Sequence, residues 1–239
     1  KKKKKIVILN SVFVHKTSIA FEMEYCITSL DNLINSISKP FHSAQKKKII
    51  RSIAEGINYL HSNDIMHRDI KPSNIFVDFN STIKVGDFGS CKIINTKDKK
   101  LNTPLIGTKW YKAPEIIMGW KDYNKSIDIW SFGCLIAELI LLEPIFPGGT
   151  DFEMINFISN FLGYTEEDKE FLKPKLEINL RDMDPKIFEE TFDDADPDEI
   201  DLIRRMLVIN PKNRITINQI LEHDYLQNEE NYKDVSLPL

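Results

Sequence analysis

Cysteine is scarce in this 239-residue chain: Cys26, Cys91 and Cys134 stand far apart, and no two of them form a C-x-x-C pair. Isolated cysteines exclude a zinc-ribbon ligand set and a disulfide framework and fit a reducing compartment, so the expected location is cytoplasmic, nuclear or both. Long apolar runs are missing too. The richest, "CLIAELILL", is broken by Glu138 and closed by Glu143 and Pro144, short of the roughly 18 residues of a membrane span, so no membrane partner is expected. Excess positive charge is lacking as well: a net charge of −4 argues against a general nucleic-acid binder. There are no internal repeats, and the only low-complexity tract is the opening "KKKKK". It is followed by a short apolar run, unlike a secretory signal, and is read as a solvated lysine run. No Met initiates it, so residue 1 need not be the true start.

What is present is enough apolar sequence, 42% of residues, to bury one large domain or two lobes. "IVILNSVFV" (6–14) and "SIAFEMEY" (18–25) flank a polar "HKT" and predict a β-hairpin. From residue 30 the period turns helical: "SLDNLINSI" stops before Pro40, and "SAQKKKIIRSIAEGINYLHS" puts Ile49, Ile53, Ile57 and Leu60 on one face. A small strand-rich lobe therefore hands over to a helical one near residues 24–28. "SIDIWSFGCLIAELILL" (126–142) is apolar nearly all round and predicts a buried central helix. "DFEMINFISNFLG", "DEIDLIRRMLV" and "TINQILEHDYL" are helical by period. Residues 166–201 carry fifteen Asp and Glu against five Lys and Arg, read as a solvated face.

Two charged islands stand out. "IMHRDIKPSN" (65–74) follows a helix and precedes a short strand, "IFVD" (75–78); "TIKV" (82–85) then leads to "GDFGS" (86–90). Apolar flanks imply that Asp69, Lys71, Asn74 and Asp87 are at least half buried. The strand-turn-strand returns the chain so that Asp87 approaches Asn74, and an Asn oxygen with an Asp carboxylate makes a hard oxygen site suited to Mg²⁺. An Asp near that metal can accept a hydroxyl proton and a Lys can steady a transferring phosphoryl group, so the chemistry implied is phosphoryl transfer.

H-R-D-x-x-x-x-N followed by D-F-G at this spacing resembles the catalytic and metal loops of eukaryotic-type serine/threonine protein kinases. The resemblance implies an α+β kinase-like fold, mainly the helical large lobe with a remnant hairpin of the small one. It implies ATP and Mg²⁺ as cofactors, with Asp69 the catalytic base, Lys71 on the γ-phosphate, and Asn74 and Asp87 on the metal. "MEYC" (23–26) resembles the gatekeeper and hinge, with Met23 as gatekeeper and Glu24 to Cys26 lending backbone groups to adenine. Phe76 falls where an apolar side chain packs under that base. "GTKWYKAPE" (107–115) resembles the end of the activation segment, "DIWSFGC" (128–134) the central helix whose Asp128 braces the catalytic loop, and Arg214 the salt-bridge partner of Glu115. His67 is read as a structural histidine, and Cys26 and Cys134 as packing residues.

"WYKAPEIIMG" and "GCLIAELILLEPIFPG" resemble the group of cyclin-dependent, mitogen-activated and glycogen synthase kinases. The resemblance implies a protein substrate with Ser or Thr followed by Pro, and a cyclin-like activator. Two positions depart from it: Lys112 stands where the group has Arg, and Gly107 where cyclin-dependent kinases carry a larger residue. Thr103, before Pro104, aligns with an activating phosphothreonine, with Arg68 and Lys92 as its cationic partners. The expected organisation is a small-lobe remnant over 1–25, a large lobe over 26–226 with an activation segment (87–115) and an insert (148–197), and a tail (227–239). No GxGxxG loop or V-A-I-K-like strand precedes the hairpin in this sequence. Two readings stay open: an active serine/threonine kinase whose start lies outside this sequence, or a kinase-like binding or scaffold protein.

Overall fold

The structure, a computed structural model, describes residues 5–94, 108–163, 165–172, 186–193, 195–227 and 229–239. Thr103, Pro104 and Gly107 lie outside them. The chain opens with an antiparallel hairpin of β1 (Leu9–His15) and β2 (Ser18–Met23), turning through Lys16 at φ 52°. Strand β3 (Thr28–Ser29) follows, then helix α1 (Leu30–Ser36), whose start is capped by the Ser29 hydroxyl. Helix α2 (Ser43–Ser62) leads to β4 (Ile65–Met66). The catalytic-loop motif and a 3₁₀ turn (Pro72–Asn74) connect to β5 (Ile75–Val77) and β6 (Ile83–Val85). Strands β3, β5 and β6 form one antiparallel sheet. On its far side the segment at Ile6 adds a parallel bridge to Val85.

Strand β7 (Lys92–Ile93) pairs antiparallel with β4; the sequence shows no period there, because a two-residue strand is too short to carry one. Helices α3 (Pro114–Ile117), α4 (Ser126–Leu141), α5 (Asp151–Leu162), α6 (Glu166–Leu172), α7 (Lys186–Thr191), α8 (Pro197–Met206) and α9 (Ile217–Leu221) complete the body. Thr150 with Glu153 and Thr216 with Gln219 form capping boxes that fix the starts of α5 and α9. The helix expected over "TINQILEHDYL" ends at Leu221. The His223 side chain accepts from the Tyr225 amide and starts a separate 3₁₀ turn (Asp224–Leu226), a local bond that competes with the helical ladder.

Helix α4 is buried from Ile127 to Leu139 and forms the centre. Ile49, Ile53, Ile57 and Leu60 of α2 face the same core, each 3% exposed or less; every such side chain contributes about 2 kcal/mol by leaving water. Phe146 stacks on Trp130 and meets Phe161, which packs on Phe188 and Phe192. Tyr232 and Leu237 of the tail are buried, and Leu237 N–H donates to Ser81 Oγ, so residues 232–237 strap the β5–β6 turn. Among the described residues no helix is long and apolar enough to cross a membrane.

Candidate active site

Helix α2, β4 and the central helix hold the loop "HRDIKPSN" from below. Asp128 on α4 is fully buried, and its Oδ1 accepts the Arg68 amide (2.8 Å) while Oδ2 accepts the His67 amide (2.9 Å). His61 Nε2 meets the same Oδ2 at 2.8 Å. Burial pushes the Asp128 carboxyl upward, but the bond from His61, the His61 and His67 rings and the Arg68 amide pull it below the usual carboxylate range. His67 is fully buried: Nδ1 accepts from the Asp69 amide (3.3 Å), so Nε2 donates to Gly86 O (2.9 Å). One imidazole thereby ties the Asp69 loop to the residue preceding Asp87.

The polar residues of the two islands converge unevenly. Asp69 Oδ2 accepts from Lys71 Nζ at 2.8 Å and from Asn74 Nδ2 at 2.9 Å. The Asn74 amide group also donates to Asp69 O (2.8 Å), so its Nδ2 is committed to Asp69 and its Oδ1 is the atom of that side chain able to accept or to ligate. Asn74 is buried and Asp69 and Lys71 are partly buried, as expected; Asp87 is exposed, against expectation. Its backbone explains this: Asp87 takes φ 56° and caps a 3₁₀ turn (Phe88–Ser90) by accepting from Gly89 N–H, which swings the carboxylate out of the sheet. Gly86 N–H donates to Asn74 O (2.9 Å), setting the two islands side by side. An amide oxygen and a carboxylate form a donor set suited to Mg²⁺ carrying phosphate. Among the described residues no group of three or more His, Cys, Asp and Glu gathers as an all-protein metal cage.

On the hinge side, Met23 is exposed and Phe76 is half-buried on β5. A Cβ on Gly86 would come within 2.8 Å of the Phe76 ring and 2.7 Å of Val7 Cγ2, so only glycine lets the strand pass. The Glu24 amide is taken by Ile8 O (3.0 Å). The Glu24 side chain joins the hairpin to the sheet, accepting from Ile8 N–H (2.7 Å) and Lys84, which also pairs with Asp78 at 3.4 Å. Burial and then the Glu24 charge raise the Cys26 thiol above its ordinary pKa. Burial also carries the Cys91 thiol to about 12. Neither is an activated nucleophile.

The segment before α3 is anchored twice to α4. Tyr111 donates its hydroxyl to Glu138 Oε2 (2.7 Å), and its carbonyl accepts from Ser131 Oγ (2.7 Å). Glu115 forms a bidentate pair with Arg214 (2.9 and 3.1 Å), both side chains buried. Lys109 pairs with Asp151 at 2.6 Å. Lys112 lies between these anchors, its pKa lowered by burial and then by the Lys109 charge. An Asp carboxylate with a lysine and an amide on one oxygen, beside an Asn and an Asp of a type suited to a hard cation, is chemistry compatible with phosphoryl transfer.

Comparison with known proteins shows the family. The protein kinase domain model matches residues 1–226. The chain belongs to the protein kinase family. Cyclin-dependent kinase 20 of Danio rerio is 32% identical over 225 residues, 92% of this chain and 65% of the relative. Cyclin-dependent kinase 20 of Homo sapiens is 30% identical over 227 residues, with the same coverage. Mitogen-activated protein kinase HOG1 of Colletotrichum orbiculare is 35% identical over 229 residues, 92% of this chain and 62% of the relative. The chain thus spans a little under two thirds of the length of these kinases.

Within this kinase fold, several contacts were not foreseen from sequence. Arg68, held at φ 69°, donates from Nε to Ser90 O (2.5 Å) and from Nη1 to the Tyr123 hydroxyl (3.1 Å). Arg68 and Lys92 were the expected partners of a phosphate on Thr103; Lys92 lies on β7, and Thr103 is outside the described residues. His61, Tyr123 and Glu138 had no motif to mark them. The one available signal was Glu138 itself, a carboxylate inside an otherwise apolar helix, which demands a partner when buried.

Proposed function

We propose that this protein is a serine/threonine kinase that transfers the γ-phosphate of ATP to Ser or Thr hydroxyls of protein substrates. The observation that carries the reading is the orientation of Asp69: one carboxylate oxygen is held by Lys71 and Asn74, which leaves the other to take the hydroxyl proton. Lys71 neutralises charge on the transferring group. Asn74 Oδ1 and Asp87 hold Mg²⁺, whose charge offsets that of the phosphates. Adenine lies between Phe76 and the hinge, using the Glu24 carbonyl and the Cys26 backbone. The similarity to cyclin-dependent and mitogen-activated kinases supports a preference for Ser or Thr before Pro, read by the segment containing Lys112, and control by a cyclin-like activator and phosphorylation of Thr103. The separated cysteines support a cytoplasmic or nuclear location.

A radiolabelled-ATP assay tests this on the 239-residue chain and on a version extended by the coding sequence upstream of residue 1. The extended protein is expected to label a Ser/Thr-Pro peptide, and Asp69→Asn to abolish the labelling. If the extended wild type labels no more than Asp69→Asn, the kinase-like scaffold reading replaces this one.

A further inference from the structure

The turn that carries Asp87 is held at both ends. Before it, Gly86 N–H donates to Asn74 O (2.9 Å) and Gly86 O accepts from His67 Nε2 (2.9 Å). After it, β7 pairs with β4, and Ile94 N–H donates to Asp64 O (2.7 Å). Two bonds inside the turn are local: Gly89 N–H to Asp87 Oδ1 (3.3 Å) and Cys91 N–H to Phe88 O (3.1 Å). Phe88 adds an edge contact with the His67 ring. The Arg68 side chain grips the turn from outside, its Nε donating to Ser90 O at 2.5 Å.

Arg68 does not set that contact alone. Its amide is fixed on Asp128 Oδ1 (2.8 Å) and its φ is 69°, so the backbone that launches the side chain is held in place. The guanidinium then bonds Ser90 O through Nε and the Tyr123 hydroxyl through Nη1 (3.1 Å). Two bonds from a rigid planar fork fix its plane as well as its place. Tyr123 is 55 residues away, in the loop joining α3 to α4, half-buried with its ring against the core. That loop is itself anchored, because Lys125 Nζ donates to His61 O (2.6 Å) and pairs with Asp64 (2.8 Å). Asp64 O is also the acceptor that holds Ile94, so both sides of the Arg68 bridge are tied to the turn between α2 and β4.

We infer that Tyr123 is a positioning residue for the D-F-G turn, acting through Arg68 on Ser90 and so on the Asp87 carboxylate. Its consequence for metal binding rests on the reading of Asp87 as a Mg²⁺ ligand given above; its consequence for the turn does not. The route bypasses the proposed base. Asp69 is held by Lys71 and Asn74, and its loop by His67 and Asp128. Loss of the phenol oxygen therefore loosens the metal side of the site and leaves the base side in place. Removing a group that directly orients a metal ligand weakens metal binding roughly 10- to 100-fold. Tyr123 acts at a further remove, through Arg68 and the turn, which puts its effect at the lower end of that range.

The test is a double-mutant cycle on the 239-residue chain: wild type, Tyr123→Phe, Arg68→Met and the pair. Tyr123→Phe keeps the packed ring and is expected to leave the unfolding midpoint nearly unchanged. Amide hydrogen exchange at Gly89 and Cys91 is expected to quicken, with His67, Arg68 and Asn74 unaltered. Mn²⁺, followed by paramagnetic broadening at the Asn74 and Asp87 amides, is expected to bind about tenfold more weakly. In the Arg68→Met background Tyr123→Phe is expected to add nothing. Equal effects in both backgrounds overturn the inference, since the ring then acts by packing. So does unchanged exchange at Gly89 and Cys91, or exchange that quickens as much at His67 and Asn74; these two outcomes decide the matter even if Arg68→Met does not fold. A wild type with no Mn²⁺ response at Asp87 refutes the metal reading of the site, while exchange at Gly89 and Cys91 still decides the role of Tyr123.

Discussion

Tyr111 is tied to the central helix at two points, its hydroxyl 2.7 Å from Glu138 Oε2 and its carbonyl 2.7 Å from Ser131 Oγ. The segment leading into Glu115 is thus fastened to the most buried helix of the molecule. One of the two fasteners is a carboxyl in an apolar setting. Burial, and to a smaller degree the Asp31 charge, raise the Glu138 pKa from 4.5 to about 7, against the Tyr111 bond, which lowers it.

That shift predicts a pH dependence with a definite sign. Between about 4.5 and 7 the folded chain keeps the Glu138 proton while the unfolded chain has lost it, so the group makes stability fall as pH rises. The change is on the order of 3 kcal/mol across the window. Urea midpoints of wild type and Glu138→Gln from pH 4.5 to 7.5 isolate it. The difference between the two proteins is expected to narrow toward low pH and widen toward 7. Tyr111→Phe removes the bond that lowers the pKa, so its decline is expected to extend to higher pH. Parallel wild-type and Glu138→Gln curves would falsify this account.

Arg214 and Glu115 predict a larger effect that is less sensitive to pH. Both side chains are at most 2% exposed, and the guanidinium also bonds Val208 O (3.0 Å) and Ser126 O. Arg214→Met leaves the Glu115 carboxylate buried without its partner, a loss of about 3–5 kcal/mol. Combining it with Glu115→Gln removes the stranded charge, so the double variant is expected to be more stable than Arg214→Met alone. Denaturant unfolding of the three proteins checks the order. A double variant less stable than Arg214→Met rejects the stranded-charge explanation.

Much of the fold can be read from the sequence, for a physical reason. Where period and burial act over several turns, as in α2 and α4, the elements fall where the apolar pattern places them. Likewise "HRDIKPSN" and "DFG" can be read because the chemistry constrains side-chain type at each position. What could not be read depends on single tertiary bonds. The outward turn of Asp87 follows from one positive φ and one amide, and Arg68 meets Tyr123 across 55 residues. The tail has no period at all, yet Tyr232 and Leu237 are buried because the β5–β6 turn and α2 offer a place for them. The family explains the order of the motifs; it does not explain the Lys84, Glu24 and Asp78 cluster, which needs the hairpin and sheet in register.

The hairpin yields a prediction about solubility. In its register Val12 faces Phe21 and Val14 faces Ile19, and these four side chains are 51–76% exposed. A contiguous apolar strand face in water is an association surface. Val14→Lys with Phe21→Lys is expected to change the unfolding midpoint of the 239-residue chain little, within about 0.5 kcal/mol, because neither side chain is buried. Light scattering at matched concentration is expected to fall. A large drop in midpoint, or undiminished scattering, shows that the face is packed or that association lies elsewhere.

Asp128 and Asp69 offer the sharpest contrast, since the same Asp→Asn change acts on a brace in one case and on the proposed base in the other. Asp128 accepts three donors from full burial. Asn supplies one acceptor oxygen and points an N–H₂ group at a donor, so Asp128→Asn is expected to cost about 2–4 kcal/mol. Hydrogen exchange at the His67 and Arg68 amides is expected to rise. Because the Asp128 pKa is depressed in the fold, its contribution is present above the ordinary carboxylate value near 3.8 and is lost as pH falls through the folded value. The gap between wild type and Asp128→Asn should therefore close in acid. Asp69 is partly exposed, and Asn keeps its shape, so Asp69→Asn should leave the midpoint and the amide exchange nearly unchanged. Phosphate transfer by the extended protein should nevertheless drop about 10²–10⁴-fold with the loss of a general base. If Asp69→Asn loses activity only in step with stability, Asp69 belongs with the braces and not with the chemistry.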